Sequence, residues 1–170
     1  RFFFSFGDFG FTMKCRMEGM RTFGPVLAPF SAFQLLQGIE TLPLRMDRHC
    51  SSALAVARHL ESHPKVAWVN YPGLESSPYH VLAKKYLPRG AGAVLSFGIR
   101  GAAAAGQKFI DSVEFLSHLA NIGDAKTLVI HPASTTHRQP SEPPQVPAGV
   151  APAPIRLSAG LDTLEALPCE

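Results

Sequence analysis

The sequence predicts an α+β fold, a small and mostly antiparallel sheet with helices packed on one face. Three observations predict it. The hydrophobic period changes along the chain in the order helix, strand, helix, strand, helix and then strands, which builds a layer of helices against one sheet. One segment alternates cleanly, with Ala93, Leu95, Phe97 and Ile99 set against Val94, Ser96 and Gly98, as a strand with one buried face must. There is no GxGxxG and no glycine-rich phosphate cradle, so a nucleotide fold is not supported.

The elements follow in order. Phe30 to Ile39 reads as a short helix, with Phe33, Leu36 and Ile39 at helical spacing. Phe30, Phe33, Leu35 and Leu36 are expected in the core. A longer helix is predicted from Thr41, a candidate N-cap, with Pro43 tolerated in its first turn. Met46, Cys50, Ala53, Ala57 and Leu60 make its predicted apolar stripe, and Pro64 stops it. Val66–Asn70 is a short strand ended by the turn-forming Tyr71-Pro72-Gly73. His80–Leu87 is a third helix, closed by Pro88 and Gly90. After the alternating strand, Ala102–Phe115 returns to helical spacing through Phe109, Ile110 and Val113. Leu119–Asn121, Thr127–His131 and Ile155–Ser158 read as further short strands. Asp162 and Glu165 form a capping-box-like start for a last helix.

Composition excludes several function classes. The 170 residues suit about one domain, and 46% hydrophobic against 17% charged residues is a globular balance. A net charge of +3, from 16 basic and 13 acidic residues with no basic run longer than Lys84-Lys85, gives no stripe for nucleic acid. Cys15, Cys50 and Cys169 are far apart and lack CxxC or Cys/His spacing, so neither a disulfide framework nor a zinc site is indicated. A reducing, cytoplasmic setting is the expectation. The apolar stretch Phe2–Phe11 is interrupted by Asp8 and too short to span a bilayer, and it lacks a cleavage site, so no membrane partner is expected. The chain begins at Arg1 rather than Met, which suggests a fragment. Residues 139–154 hold six prolines in sixteen positions and read as an extended loop.

Several motifs carry a family resemblance. They are PFSAFQLLQGIETLPLRM (29–46), VNYPGL (69–74), KKYLP (84–88), GAGAVLSFG (90–98), SHLANIGDAKTLVIHPASTTH (117–137) and IRLSAGL (155–161). The resemblance they carry extends over roughly residues 6–165. In this order they resemble the C-terminal domain of the pyridoxal-phosphate (PLP) enzymes of cysteine and methionine metabolism, in particular the O-acetylhomoserine sulfhydrylase branch, related to cystathionine synthases and lyases.

The resemblance implies a γ-replacement on O-acetyl-L-homoserine, in which sulfide or a small thiol displaces acetate to give homocysteine or methionine. PLP is the implied cofactor. The family's Ser-x-Thr-Lys segment, which holds the Schiff-base lysine, has no counterpart here, nor has its phosphate loop. Lys14, in Thr12-Met-Lys14, aligns with a region after that lysine and reads as an ordinary one. No catalytic, cofactor-binding or metal residue is therefore assigned, and the fragment is expected to be inactive alone. Residues 1–28 are implied to be a linker from the cofactor-binding domain, and 29–170 the substrate-carboxylate domain. The implied partners are a small amino-acid substrate and, in the full-length protein, further copies in a homotetramer.

Holding an α-carboxylate calls for a permanently charged fork, which arginine offers and lysine does not. Read alone, Arg156 is an arginine at a strand edge; the resemblance places it at the substrate carboxylate. Asn121 stands where relatives carry a serine beside that carboxylate; read alone, it ends a strand before a turn at Gly123. Ala120 matches a specificity position that is larger or charged in relatives taking bigger thiols. Thr136 and His137 are implied to lie under the substrate, with His137 structural, and Arg45 is read as structural. Prolines 143, 144, 147 and 154 depart from the family's helix-favouring run, and Pro154 bears on the aim of Arg156. Two alternatives stand beside this reading, a cystathionine γ-synthase or γ-lyase type of enzyme and a non-enzymatic interaction module with exposed apolar surface.

Overall fold

The structure, a computed structural model, describes residues 2–135 and 154–163. The chain divides into two compact units, Arg1–Leu42 and Pro43–Glu170.

The first unit is helical. Helix α1 (Phe2–Phe6) passes through a 3-10 turn (Gly7–Phe9) into α2 (Gly10–Lys14), then through a π-helical turn (Cys15–Met20) into α3 (Arg21–Phe23). Gly24 ends this run at φ +61°, its N–H donating to the Met20 carbonyl at 2.9 Å, the left-handed cap that glycine adopts without strain. Pro29 opens α4 (Pro29–Glu40) at a position where its missing N–H is not needed. The expectation that α4 carries core residues does not hold. Phe30, Phe33, Leu35 and Leu36 are each more than half exposed, because their own unit lays no second layer across them.

The second unit holds the sheet. Helix α5 (Leu42–Ser62) is followed by β1 (Val66–Asn70), α6 (His80–Tyr86), β2 (Val94–Ile99), α7 (Ala102–Ser112), β3 (Ser117–His118), β4 (Leu128–Ile130) and β5 (Pro154–Ser158). The strands lie in the order β1-β2-β5-β4-β3, antiparallel except for the β3–β4 pair. The predicted class is therefore observed.

Its core forms where α5 and α7 meet one sheet face. Leu95 and Phe97 of β2, Ile155 and Leu157 of β5 and Val129 of β4 pack with Ala53, Val56 and Ala57 of α5 and with Ile110 of α7. Phe109 adds an edge-on contact to the Phe97 ring at 5.9 Å between centroids. The inward face of α5 is His49, Ser52, Ala53, Val56 and Ala57, turned from the predicted stripe so that Met46 is exposed and Cys50 and Leu60 only half-buried.

Two predicted elements differ. The strand expected at Leu119–Asn121 is a loop, the ladder being confined to Ser117 and His118. Helix α7 stops at Ser112 rather than Phe115. Pro154 is the first residue of β5, where a missing N–H is tolerated. The rest of the proline-rich segment, and the last helix, lie outside the described residues. Among the described residues, no helix is long and apolar enough to cross a membrane.

Candidate functional site

Strand alternation decides where Arg156 points. Ile155 and Leu157 are buried against the helices, so Arg156 stands on the opposite face, half-buried. β5 is the middle strand, and Arg156 has Ser96 of β2 on one side and Ile130 of β4 on the other. Asn70 of β1 pairs with Ser96, so Asn70, Ser96, Arg156 and Ile130 form one row across the face away from α5 and α7, exposed at Asn70 and buried at Ile130. In the adjacent row Trp68 lies over Gly98, where any β-carbon would collide with the indole.

The guanidinium of Arg156 donates from Nη2 to the backbone carbonyl of Asn121 at 3.1 Å. No acid pairs with Arg156 among the described residues, and its other N–H donors have no partner there. One edge of the fork is thus held while the rest can take a carboxylate. Asn121 is exposed. Its side-chain oxygen accepts the Ile122 N–H at 2.9 Å, so the amide nitrogen is the group left to donate outward. Ala120, also exposed, presents only a methyl group beside it.

The loop 119–127 that carries Ala120 and Asn121 is tied down at its far end. The Thr127 N–H donates to Asp162 Oδ2 at 2.6 Å, Gly160 N–H to Thr127 Oγ1 at 2.9 Å, and Leu161 N–H to the Ala125 carbonyl at 2.8 Å. A β-carbon on Gly160 would lie 2.5 Å from the Ala125 carbonyl oxygen, so only glycine lets the two segments approach. Helix α5 joins this knot. His49 Nδ1 lies 2.7 Å from the Ala159 carbonyl, an acceptor that requires the proton on Nδ1, and Arg48 Nη2 donates to the Asp162 carbonyl at 3.0 Å. Asp162 thus spends a carboxylate oxygen on the site loop, where the sequence suggested a helix cap. Sequence reasoning passed over Thr127, Gly160, Asp162, His49 and Ser96 as contributors. Gly160 lay inside a quoted motif, but only the strand register shows what it touches.

Thr136 and His137 lie outside the described residues. His131 is buried, with Nδ1 3.0 Å from Ser134 Oγ and its carbonyl accepting from Thr135 Oγ1 at 2.8 Å, a local turn rather than a ligand set. Among the described residues no cluster of three or more potential metal ligands occurs. Arg45 sits half-buried in the first turn of α5.

The family model for Cys/Met metabolism PLP-dependent enzymes matches residues 9–169. The chain belongs to this family. It is 53% identical over 159 residues to the O-acetyl-L-homoserine sulfhydrylase of Leptospira meyeri, covering 93% of this chain and 36% of that protein. It is 49% identical to O-acetyl-L-homoserine sulfhydrylase 1 of Thermus thermophilus, covering 98% and 39%. Among solved structures it superposes on an O-acetylhomoserine (thiol)-lyase of Campylobacter jejuni with a TM-score of 0.84 at 42% identity, over 94% of this chain and 38% of that one. It also matches a cystathionine γ-synthase of Xanthomonas oryzae with a TM-score of 0.75 at 35% identity, covering 83% and 36%. The chain therefore spans well under half the length of the relatives it matches.

The family is PLP-dependent, and the Campylobacter structure carries a pyridoxyl-lysine phosphate. The residues present here do not fit that attachment. Lys14, Lys65, Lys84, Lys85, Lys108 and Lys126 are all exposed, and Lys14 is paired with Glu18 at 2.6 Å. A Schiff-base lysine needs a desolvated setting, which none of these six has.

Proposed function

We propose that this chain is the substrate-carboxylate part of a PLP-dependent γ-replacement enzyme that makes homocysteine, or methionine, from O-acetyl-L-homoserine and sulfide or a thiol. The observation that carries the reading is Arg156, half-buried on the face away from the helices, steered by Asn121 and left with donors that have no partner among the described residues. The free edge of the guanidinium grips the amino acid's carboxylate, the Asn121 amide adds a donor, and Ala120 leaves space beside them. In this reading residues 1–28 are the linker and 29–170 the substrate domain, with Thr136 beneath the substrate. PLP is held by a part of the enzyme that these residues do not span, in a cytoplasmic homotetramer.

The test is a chimera in which this chain replaces the matching region of the Leptospira meyeri sulfhydrylase. With O-acetyl-L-homoserine and sulfide it should turn over, and Arg156→Lys should raise KM by about tenfold or more while leaving cofactor absorbance intact. An unchanged KM would remove Arg156 from the site. The likeness to the Xanthomonas oryzae synthase supports a second reading, in which the sulfur donor is cysteine. Supplying cysteine in place of sulfide separates the two.

A further inference from the structure

We propose that Asp162 is a positioning residue for the carboxylate grip: its side chain fixes Thr127, and Thr127 closes the loop whose Asn121 carbonyl holds one edge of the Arg156 guanidinium. This role rests on the one proposed for Arg156 and extends it to an acid that forms no ion pair with that arginine. Asp162 lies beyond the end of β5 and acts through the backbone of loop 119–127.

Thr127 is the closing point of the loop. It is 2% exposed, and each of its polar groups has a partner. Its N–H donates to Asp162 Oδ2 at 2.6 Å, its carbonyl accepts the Ser117 N–H at 3.1 Å, and its hydroxyl oxygen accepts the Gly160 N–H at 2.9 Å. The Ser117 bond joins the strand that enters the loop to the residue that ends it, so the loop is tied at its base. Of the three bonds, only the one to Asp162 has an ionisable side chain as acceptor, and hydrogen bonds to a carboxylate are the stronger kind. Without that carboxylate a buried N–H loses its partner, and the backbone at Thr127 has to move to find another.

The same segment of chain grips the loop at two places. Arg156 takes the Asn121 carbonyl at 3.1 Å, while further along the Leu161 N–H and Asp162 Oδ2 take Ala125 and Thr127. Asp162 is itself anchored to α5, since Arg48 Nη2 donates to its carbonyl at 3.0 Å. Between the two places the loop is braced internally: Asn121 Oδ1 accepts the Ile122 N–H at 2.9 Å and Asp124 Oδ1 the Lys126 N–H at 3.0 Å. A displacement at Thr127 is therefore carried along the loop to Asn121 and changes the aim of the guanidinium. A binding group works only while the bonds behind it hold its geometry.

The test is made in the chimera with the Leptospira meyeri sulfhydrylase. Asp162→Ala should raise KM for O-acetyl-L-homoserine about three- to tenfold while kcat stays within about twofold, the pattern of lost binding that ground and transition states share. Asp162→Asn keeps an acceptor oxygen for the Thr127 N–H and should bring KM back to within about twofold. In an Arg156→Lys background Asp162→Ala should add less than about twofold, because the fork that it aims is already gone. An unchanged KM, an equal rise in both backgrounds, a loss confined to kcat, or an Asn variant as poor as the Ala variant overturns the role of Asp162. Should the Ala chimera not fold, as judged by its cofactor absorbance, Asp162→Ser, whose shorter hydroxyl stops short of the Thr127 N–H, is read by the same criteria. If Arg156→Lys by itself leaves KM unchanged, the reading of Arg156 fails and this role with it; if it raises KM while Asp162→Ala does not, only the role of Asp162 fails.

Discussion

The two faces of the sheet are built from the same strands and do opposite things. On the helix-covered face, Leu95, Phe97, Ile155 and Leu157 are buried almost completely, and neighbours on α5 and α7 fill the space between them. On the other face Asn70, Ser96 and Arg156 are at least partly exposed, while Leu128, Ile130 and Ser158 towards the β4 side are buried. The first face carries the stability of the unit. The second carries the Arg156 guanidinium, which pairs with no acid among the described residues, and such a charge is where chemistry is to be sought.

The largest effect that would test this division is at the centre of the buried face. Phe97 is 2% exposed and touches both the β5 side chains and the Phe109 ring. Phe97→Ala should lower unfolding free energy by about 3–5 kcal/mol in urea denaturation, through lost transfer energy and the cavity left behind. A loss below about 1 kcal/mol would show that the helices do not seal that face.

The buried face was also the legible one, for a physical reason. Burial imposes a period on the sequence, and the alternation through Leu95 and Phe97 could be read without knowing any partner strand. The polar face imposes none. That Ser96 neighbours Arg156 depends on the β2–β5 register, which is set by the whole sheet. That Asn121 meets Arg156 through its backbone carbonyl cannot be read from its side chain at all, although the family motif had already placed the two residues together. Leu119–Asn121 was misread as a strand because Leu119 looks like a sheet residue, yet it is exposed. Helix α4 misled in the opposite way, since its apolar residues are regular enough to predict a core that their unit does not cover.

A second, smaller effect sharpens the comparison through pH. Tyr71 is 1% exposed on the core side, and its hydroxyl is pushed up to about 12, chiefly by burial and further by the electrostatic effect of Cys50. The folded chain therefore holds this proton more tightly than the unfolded chain, whose tyrosine titrates near 10. The stabilisation is complete below pH 10 and is lost as pH rises through 12, on the order of 2–3 kcal/mol at 1.36 kcal/mol per unit. Tyr71→Phe should remove about 1 kcal/mol at neutral pH, with the bond to the Gly92 carbonyl, and flatten that part of the alkaline decline. Stability measured from pH 9 to 12 in both proteins checks it, and identical alkaline slopes would mean that Tyr71 ionises as freely folded as unfolded.

The smallest expected change in stability is on the open face, and its smallness is the point. Arg156 is half-buried, makes one hydrogen bond to a backbone carbonyl and pairs with no acid among the described residues. A residue retained for folding would be missed, whereas one retained for binding would not. Arg156→Gln keeps a similar reach and a donor for the Asn121 carbonyl but removes the charge and the fork. Urea denaturation of this variant should match the unsubstituted chain to within about 0.5 kcal/mol, the usual range for surface changes. A loss of about 2 kcal/mol or more would place Arg156 among the groups that hold β5 to loop 119–127 and erase the contrast between the faces. A negligible loss, together with the KM effect expected in the chimera, would leave substrate binding as the reason for a guanidinium in the middle strand of the sheet.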